Sequence, residues 1–225
     1  IRTTGIPESK LIELISSPIR TEHDCEIGYY PSLFGVDIRI SSNKIKNMES
    51  LQDQLTAILG NAVFALGDDS IEEIVVKNAL ENDISLSIAE SCTGGLIGHR
   101  ITQISGSSKI FKGSVVVYSN SSKVNLLGVG ENCIAKHGAV SEETAKEMAE
   151  KVRDMFSTKL GLSITGIAGP DGGSKEKPIG LTYIGLSTKK ETKVQKFQFG
   201  SIRKSNKARA SQAALNWMRL EILNG

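Results

Sequence analysis

Residues 84–104 read ISLSIAESCTGGLIGHRITQI. Ile84, Leu86 and Ile88 alternate with serines, the period-two pattern of a strand. The closing run LIGHRITQI reads as a helix, so strand passes into helix through SCTGG (91–95). A strand–turn–helix unit of this kind builds a layered α/β fold, whose ligand sites lie beyond the carboxyl ends of the strands. The turn carries three candidate nucleophiles, Ser91, Cys92 and Thr93, ahead of the Gly94–Gly95 pair. Backbone N–H groups at such a turn suit an oxyanion or a phosphate. Ser91 or Thr93 would serve equally as a plain helix cap.

The same alternation runs outward from this stretch. A helix over 71–82 precedes it, and GSVVVYS (113–119) is a strand feeding the short helix NSSKVNLLG (120–128). Ser141 is placed to cap a helix over 142–157. LGLSITGIAGPDGG (160–173) is a strand entering a glycine-rich loop, followed by strands at 179–187 and 193–199 and a helix from about 202 to 223. The expectation for 70–225 is a three-layer α/β/α domain with a largely parallel sheet. Three polar turns, SCTGG, YSNSSK (118–123) and TGIAGPDGG (165–173), should converge at its strand ends. Residues 1–66 read as a separate small α/β domain. It has a helix at 8–17, strands at 25–30 and 34–41, and a helix marked by Met48, Leu51, Leu55, Ile58 and Leu59. GDDS (67–70) is the boundary. Asp68, Asp69, Glu72 and Glu73 are a cation site or, more simply, acids at the positive end of a helix.

Composition narrows the function. The chain has 225 residues, 39% hydrophobic and 23% charged, with a formal net charge of +2, an ordinary globular balance that calls for neither nucleic acid nor membrane. No apolar run approaches a bilayer span. Three scattered cysteines, Cys25, Cys92 and Cys133, make no disulfide framework or zinc cluster and fit a reducing cytoplasm. The chain begins at Ile1, which points to a fragment or a processed protein. Between Lys189 and Arg209 eight basic residues face one acid, Glu191, giving a solvated face or an anion-binding rim.

A hydroxyl nucleophile needs a base. His23 falls in the first domain, His99 within a helix and His137 in a loop; a triad would have to pair His137 with a residue such as Asp171. Lys123 follows a strand end in the first turn of a helix, where dipole and burial both disfavour its charged form, as a serine–lysine arrangement needs. An ordinary surface lysine is the competing reading. Tyr118 at the strand tip would donate a hydrogen bond or stack on a flat substrate. The third turn lacks G-x-x-x-x-G-K-[ST], so it is no Walker A loop, though its N–H groups suit an anion. A thiol enzyme built on Cys92 is a further reading, with His99 its nearest base in sequence.

AESCTGGLIGHRIT, ISGSSKIFKGSVVVYSNSSKVNLLGV, HGAVSEETAKEMA and SITGIAGPDGGSKEKPIGLTYIGL together resemble the C-terminal domain of the CinA (competence/damage-inducible) family. The resemblance covers about residues 70–223, and residues 1–66 are similar to the family's small linking domain. A further N-terminal domain of full-length members, with its own pyrophosphatase activity, would have no counterpart here. The resemblance implies hydrolysis of nicotinamide mononucleotide to nicotinate mononucleotide and ammonia, a step of pyridine-nucleotide salvage. It implies a cytoplasmic homodimer or larger homo-oligomer, with a small nucleotide as partner and no cofactor or metal. Carried over motif by motif, it places Ser91, Lys123, Tyr118 and Thr93 in the catalytic stretches. Gly94, Gly95, Asn120, the ISGSS residues Gly106, Ser107 and Ser108, and Thr165, Gly166, Ala168 and Gly169 would line the pocket. Arg203, Lys207 and Arg209 would meet the phosphate, although the family's Gly-Asp-Arg reads Gly200-Ser201-Ile202-Arg203 here. A non-catalytic nucleotide-binding or interaction module in a competence or DNA-damage pathway is the alternative.

Overall fold

The computed structural model describes residues 1–16 and 24–224, so His23 and the last residue of the expected first helix, Ser17, lie outside them. The chain divides into two compact units, Ile1–Ile74 and Val75–Gly225.

The first unit contains β1 (Arg2–Thr3), α1 (Glu8–Ser16), β2 (Glu26–Pro31), β3 (Val36–Ser41), α2 (Ile45–Leu59) and β4 (Val63–Ala65). Its sheet is antiparallel throughout, in the order β2-β3-β1-β4. Leu51, Leu55 and Leu59 recur every four residues along α2 and bury one stripe against Val36 and Ile38 of β3 and Leu11 and Ile15 of α1. Of the acidic cluster, Glu73 accepts hydrogen bonds from the Ser70 backbone and hydroxyl at 2.6 and 2.7 Å, and the Ser70 hydroxyl accepts from the Glu73 N–H. This reciprocal cap starts α3 (Ile71–Glu81), the helix within which the division falls.

The second unit continues through β5 (Leu86–Glu90), α4 (Leu96–Thr102), β6 (Phe111–Val116), α5 (Asn120–Asn125), α6 (Glu131–His137), α7 (Glu142–Phe156), β7 (Leu160–Gly166), β8 (Leu181–Ser187), β9 (Thr192–Gln198) and α8 (Arg203–Asn224). The sheet order is β6-β5-β7-β8-β9. β5 pairs parallel with β6 and β7, while β8 pairs antiparallel with β7 and β9. Four strands therefore point one way and β8 alone is reversed, a largely parallel sheet. Lys193 and Lys196 stand exposed along β9, one outer edge.

Alternation along β5 sorts the layers. Ser87 and Ala89 face α7: the Ser87 hydroxyl donates to the Val152 carbonyl, and Ala89 packs with Met148 and Val152. Glu90 faces α4, whose backbone it contacts. The α7 face is lined with small residues, which lets the helix lie close. A Cβ added at Gly161 or Gly185 would stand 2.5 Å from the Ala149 or Ala145 carbonyl oxygen, respectively. Ser141 caps α7 by accepting from the Thr144 N–H. Among the described residues no helix is long and apolar enough to cross a membrane.

Gly161→Ala is therefore expected to push α7 off the sheet and cost about 1–3 kcal/mol, the usual penalty of overpacking, read from urea unfolding. An unchanged midpoint would show that the helix has room to retreat.

Candidate active site

Ser91 follows the last residue of β5 and is gripped by the neighbouring strands. Its N–H donates to the Ile164 carbonyl of β7 at 2.9 Å, and the Val117 N–H donates to the Glu90 carbonyl at 2.8 Å. Gly94 and Gly95 then adopt φ values of +62° and +90°. L-residues with side chains avoid this left-handed region, so the glycine pair permits the reversal and α4 starts at Leu96.

Lys123 comes from α5, started by a cap in which the Ser119 hydroxyl accepts from the Ser122 N–H and the Ser122 hydroxyl accepts from the Ser119 N–H. This short helix turns the lysine inward, where only 1% of it is exposed. Its Nζ lies 2.9 Å from Ser91 Oγ, 2.9 Å from the Val117 carbonyl oxygen and 3.4 Å from that of Tyr118. Burial lowers the Lys123 pKa, and the nearby Cys92 thiol opposes this more weakly. Two of its three neighbours are carbonyls, which only accept. A neutral amine can give them its two N–H bonds and turn its lone pair to the Ser91 hydroxyl. That is the geometry of a nucleophile with its base.

The rival nucleophiles lack this partner. Burial pushes the Cys92 thiol up to about 12, so it stays protonated at neutral pH. The Thr93 hydroxyl is fully buried and has no hydrogen-bond partner among the described residues. His99 is exposed on α4, and His137 ends α6, a helix the sequence reading missed, with its ring 3.1 Å from Glu143.

The other two turns meet this pair through α8. Arg203 donates to the Gly169 carbonyl and to the Tyr118 hydroxyl, both at 2.9 Å, tying the glycine loop to the tip of β6. One turn along the helix, Lys207 Nζ stands 3.6 Å from where a Gly94 Cβ would be, and it has no ion pair among the described residues. Thr165 uses its hydroxyl to donate to the Ala139 carbonyl. Gly166 lies against the Leu181 carbonyl, where a Cβ would come within 2.7 Å. The Ala168 carbonyl accepts from the Asn206 side chain. Asn120 is exposed in the first turn of α5.

Two expected groups do not join the cluster. Gly106, Ser107 and Ser108 precede β6, whose first residue, Phe111, pairs with Leu86 at the start of β5. Ser91 follows the opposite end of that strand, about 16 Å away at strand rise, so ISGSS does not line this chain's own turn. A helix following β5 must return to the far end of the sheet before β6 begins. Arg209 is exposed, and at 100° per residue it points about 200° around α8 from Lys207.

Two residues of the site escaped the sequence reading. Asn206 is buried at 2% exposure and clamps the glycine loop, donating to the carbonyls of Ala168 and Gly200 at 3.0 and 2.8 Å. Glu90, wholly buried, accepts from the N–H groups of Ile97 and Gly98. Its signal was in plain view: a carboxylate on the apolar side of the Leu86, Ile88 alternation.

Comparison with known proteins agrees with this architecture. The family profile described as the CinA C-terminal domain matches residues 68–222, and that of the damage-inducible protein CinA KH domain matches residues 1–65. A putative competence-damage inducible protein of Caldicellulosiruptor saccharolyticus is 36% identical across 100% of this chain and 56% of its own length. A CinA-like protein of Kosmotoga olearia is 39% identical across 99% of this chain and 56% of its own. The chain thus spans about half the length of these curated relatives. The crystal structure of competence/damage inducible protein CihA from Agrobacterium tumefaciens superposes with a TM-score of 0.65 at 34% identity, covering 72% of this chain and 99% of that one. A CinA superfamily protein from Enterobacter cloacae gives 0.65 at 26% identity, covering 71% and 96%. A Ser–Lys pair at the strand ends of an α/β/α sheet thus sits in a fold shared with these proteins. The chain belongs to the CinA family.

The buried lysine has a pH signature. With its folded pKa lowered, the unfolded chain binds the extra proton between that value and the ordinary ~10.4, so stability rises with pH across this window. Lys123→Met should remove that rise in urea titrations between pH 6 and 10; a persisting slope would assign it elsewhere. Iodoacetamide at pH 8 should leave Cys92 unmodified in the folded protein, as read by mass spectrometry, whereas prompt alkylation would mean an accessible thiolate.

Proposed function

We propose that the second unit is an amidohydrolase acting on nicotinamide mononucleotide. The observation that carries this reading is the 2.9 Å approach of the buried Lys123 amine to Ser91 Oγ. Neutral Lys123 takes the Ser91 proton as Oγ attacks the carboxamide carbon. N–H groups of the SCTGG turn hold the oxyanion. The Lys123 ammonium then passes a proton to the departing nitrogen, ammonia leaves, and the nicotinoyl group stays on Ser91 as an ester. Water, deprotonated by Lys123, cleaves the ester to nicotinate mononucleotide and restores the serine.

The surroundings support a flat, anionic substrate. Tyr118, 59% exposed yet held by Arg203, offers a ring face at the rim. Lys207 and Arg203 supply positive charge on one face of α8, near the turn and the glycine loop. Base catalysis by neutral Lys123 makes the rate rise with pH through its lowered pKa, so the limb falls below the ordinary lysine range.

Ammonia release from nicotinamide mononucleotide, with and without EDTA, is the direct test. Ser91→Ala and Lys123→Met should each lower kcat by about a thousandfold or more, as removal of a nucleophile or its base does. No release by the wild-type protein, or full activity in Lys123→Met, would sink the assignment. Binding without turnover would favour a sensing module instead.

A further inference from the structure

We propose that Glu90 is a positioning residue: its buried carboxylate clamps the first turn of α4 and so holds the SCTGG backbone donors around the carbon that Ser91 attacks. The inference rests on the reading of Ser91 as nucleophile.

Alternation along β5 puts Glu90 on the α4 face beside Leu86 and Ile88, with 0% exposure. Its oxygens lie 3.1 Å from the Ile97 N–H nitrogen, 2.8 Å from that of Gly98 and 3.3 Å from Ser114 Oγ. Among the described residues no lysine, arginine or histidine forms an ion pair with it. A carboxyl group is costly to bury unless its lone pairs are met, and here backbone donors in the first turn of α4 and the Ser114 hydroxyl meet them. The docking point is shaped for this. A Cβ at Gly98 would stand 3.0 Å from Ser114 Cβ and 3.5 Å from Glu90 Oε1.

The clamp acts on the turn from both ends. The Glu90 backbone is fastened to Val117, the next residue is Ser91, and the side chain reaches across the turn to Ile97 and Gly98. The five residues between are fastened at either side by one amino acid. Within that loop the N–H groups of Thr93, Gly95 and Leu96 have no acceptor among the described residues. Glu90 thus takes two donors of the helix start and leaves those nearer the serine open. A plain helix cap would need only an oxygen at the turn; a clamp that also starts at the nucleophile sets the distance between Oγ and the free donors.

Glu90→Gln is nearly isosteric but keeps one accepting oxygen and turns an NH2 toward the other N–H. The full chain is compared with wild type in four measurements. These are urea unfolding, kcat and KM for nicotinamide mononucleotide, the rate ratio between carboxamide and thiocarboxamide mononucleotides, and labelling of Ser91 by a fluorophosphonate. In the labelling, an Oγ–P bond forms, the P–F bond breaks with loss of fluoride, and the serine proton passes to Lys123. Backbone donors stabilise an oxyanion far better than a thiolate-like sulfur, so a displaced donor set narrows the ratio. The variant is expected to fold, lose about 30-fold in kcat with KM within about twofold, narrow the ratio about tenfold and label about tenfold more slowly. Wild-type kcat and labelling, or a kcat loss with an unchanged ratio, would overturn the proposal. Should the variant not fold, Ser114→Ala removes one of the three donors to the carboxylate and must narrow the ratio in the same direction; an unchanged ratio counts against. Wild-type protein that labels at Ser91 but releases no ammonia overturns the substrate reading alone, and the labelling comparison still decides the role of Glu90.

Discussion

A lysine that is almost wholly buried, with two carbonyls and a serine hydroxyl for hydrogen-bond neighbours and no carboxylate paired with it among the described residues, is the constraint on which the second unit turns. The oxygens meet its N–H groups, but among the described residues no counter-charge pairs with an ammonium there, so the fold bears its desolvation or holds the amine neutral. Everything that brings Lys123 inward contributes to this: the Ser119–Ser122 cap that starts α5, the Val117 carbonyl at the end of β6, and the pairing that sets β6 beside β5. Lys123 owes its lowered pKa to packing, so any change that admits water beside Nζ raises that pKa and leaves less of the neutral amine, without touching either partner.

The sheet's direction makes the meeting possible. β5, β6 and β7 run parallel, so their carboxyl ends deliver Ser91, Tyr118 and the glycine loop to one rim. β8 returns antiparallel and carries the chain away, and α8 then comes back across that rim with Arg203 and Asn206. The site is shared among three turns, with a helix fastening two of them.

Much of this was legible in the residues. The period-two run before SCTGG and the glycine pair after it announce strand, turn and helix, because left-handed backbone at Gly94 and Gly95 excludes a longer helix. Lys123 was recognisable from its place after a strand end, and burial, one of the two causes expected there, lowers its pKa. The misses have physical causes. β1 is two residues long, too short to show a period. ISGSS was assigned to the pocket by motif, yet the crossover from β5 to β6 puts it at the far end of the sheet. Lys207 and Arg209 are two residues apart in sequence and on opposite sides of a helix in space. Glu90 belongs to no nucleophile–base pattern, and its marker is instead a charge on the apolar side of a strand.

The basic run from Lys189 to Arg209 divides at the end of β9. In its second half, on α8, Arg203 and Lys207 lie at the candidate site and Arg209 points away from it. Its first half lies along an outer strand whose unpaired backbone could otherwise accept a neighbour's. Lys193 and Lys196 extend their charges there, with Lys193 also meeting Glu191 and Glu221 at 2.9 and 3.6 Å. Adding a strand from another molecule at that edge would mean stripping water from ammonium groups. What reads in the sequence as one surplus of charge makes, in its first half, strand addition at this edge costly.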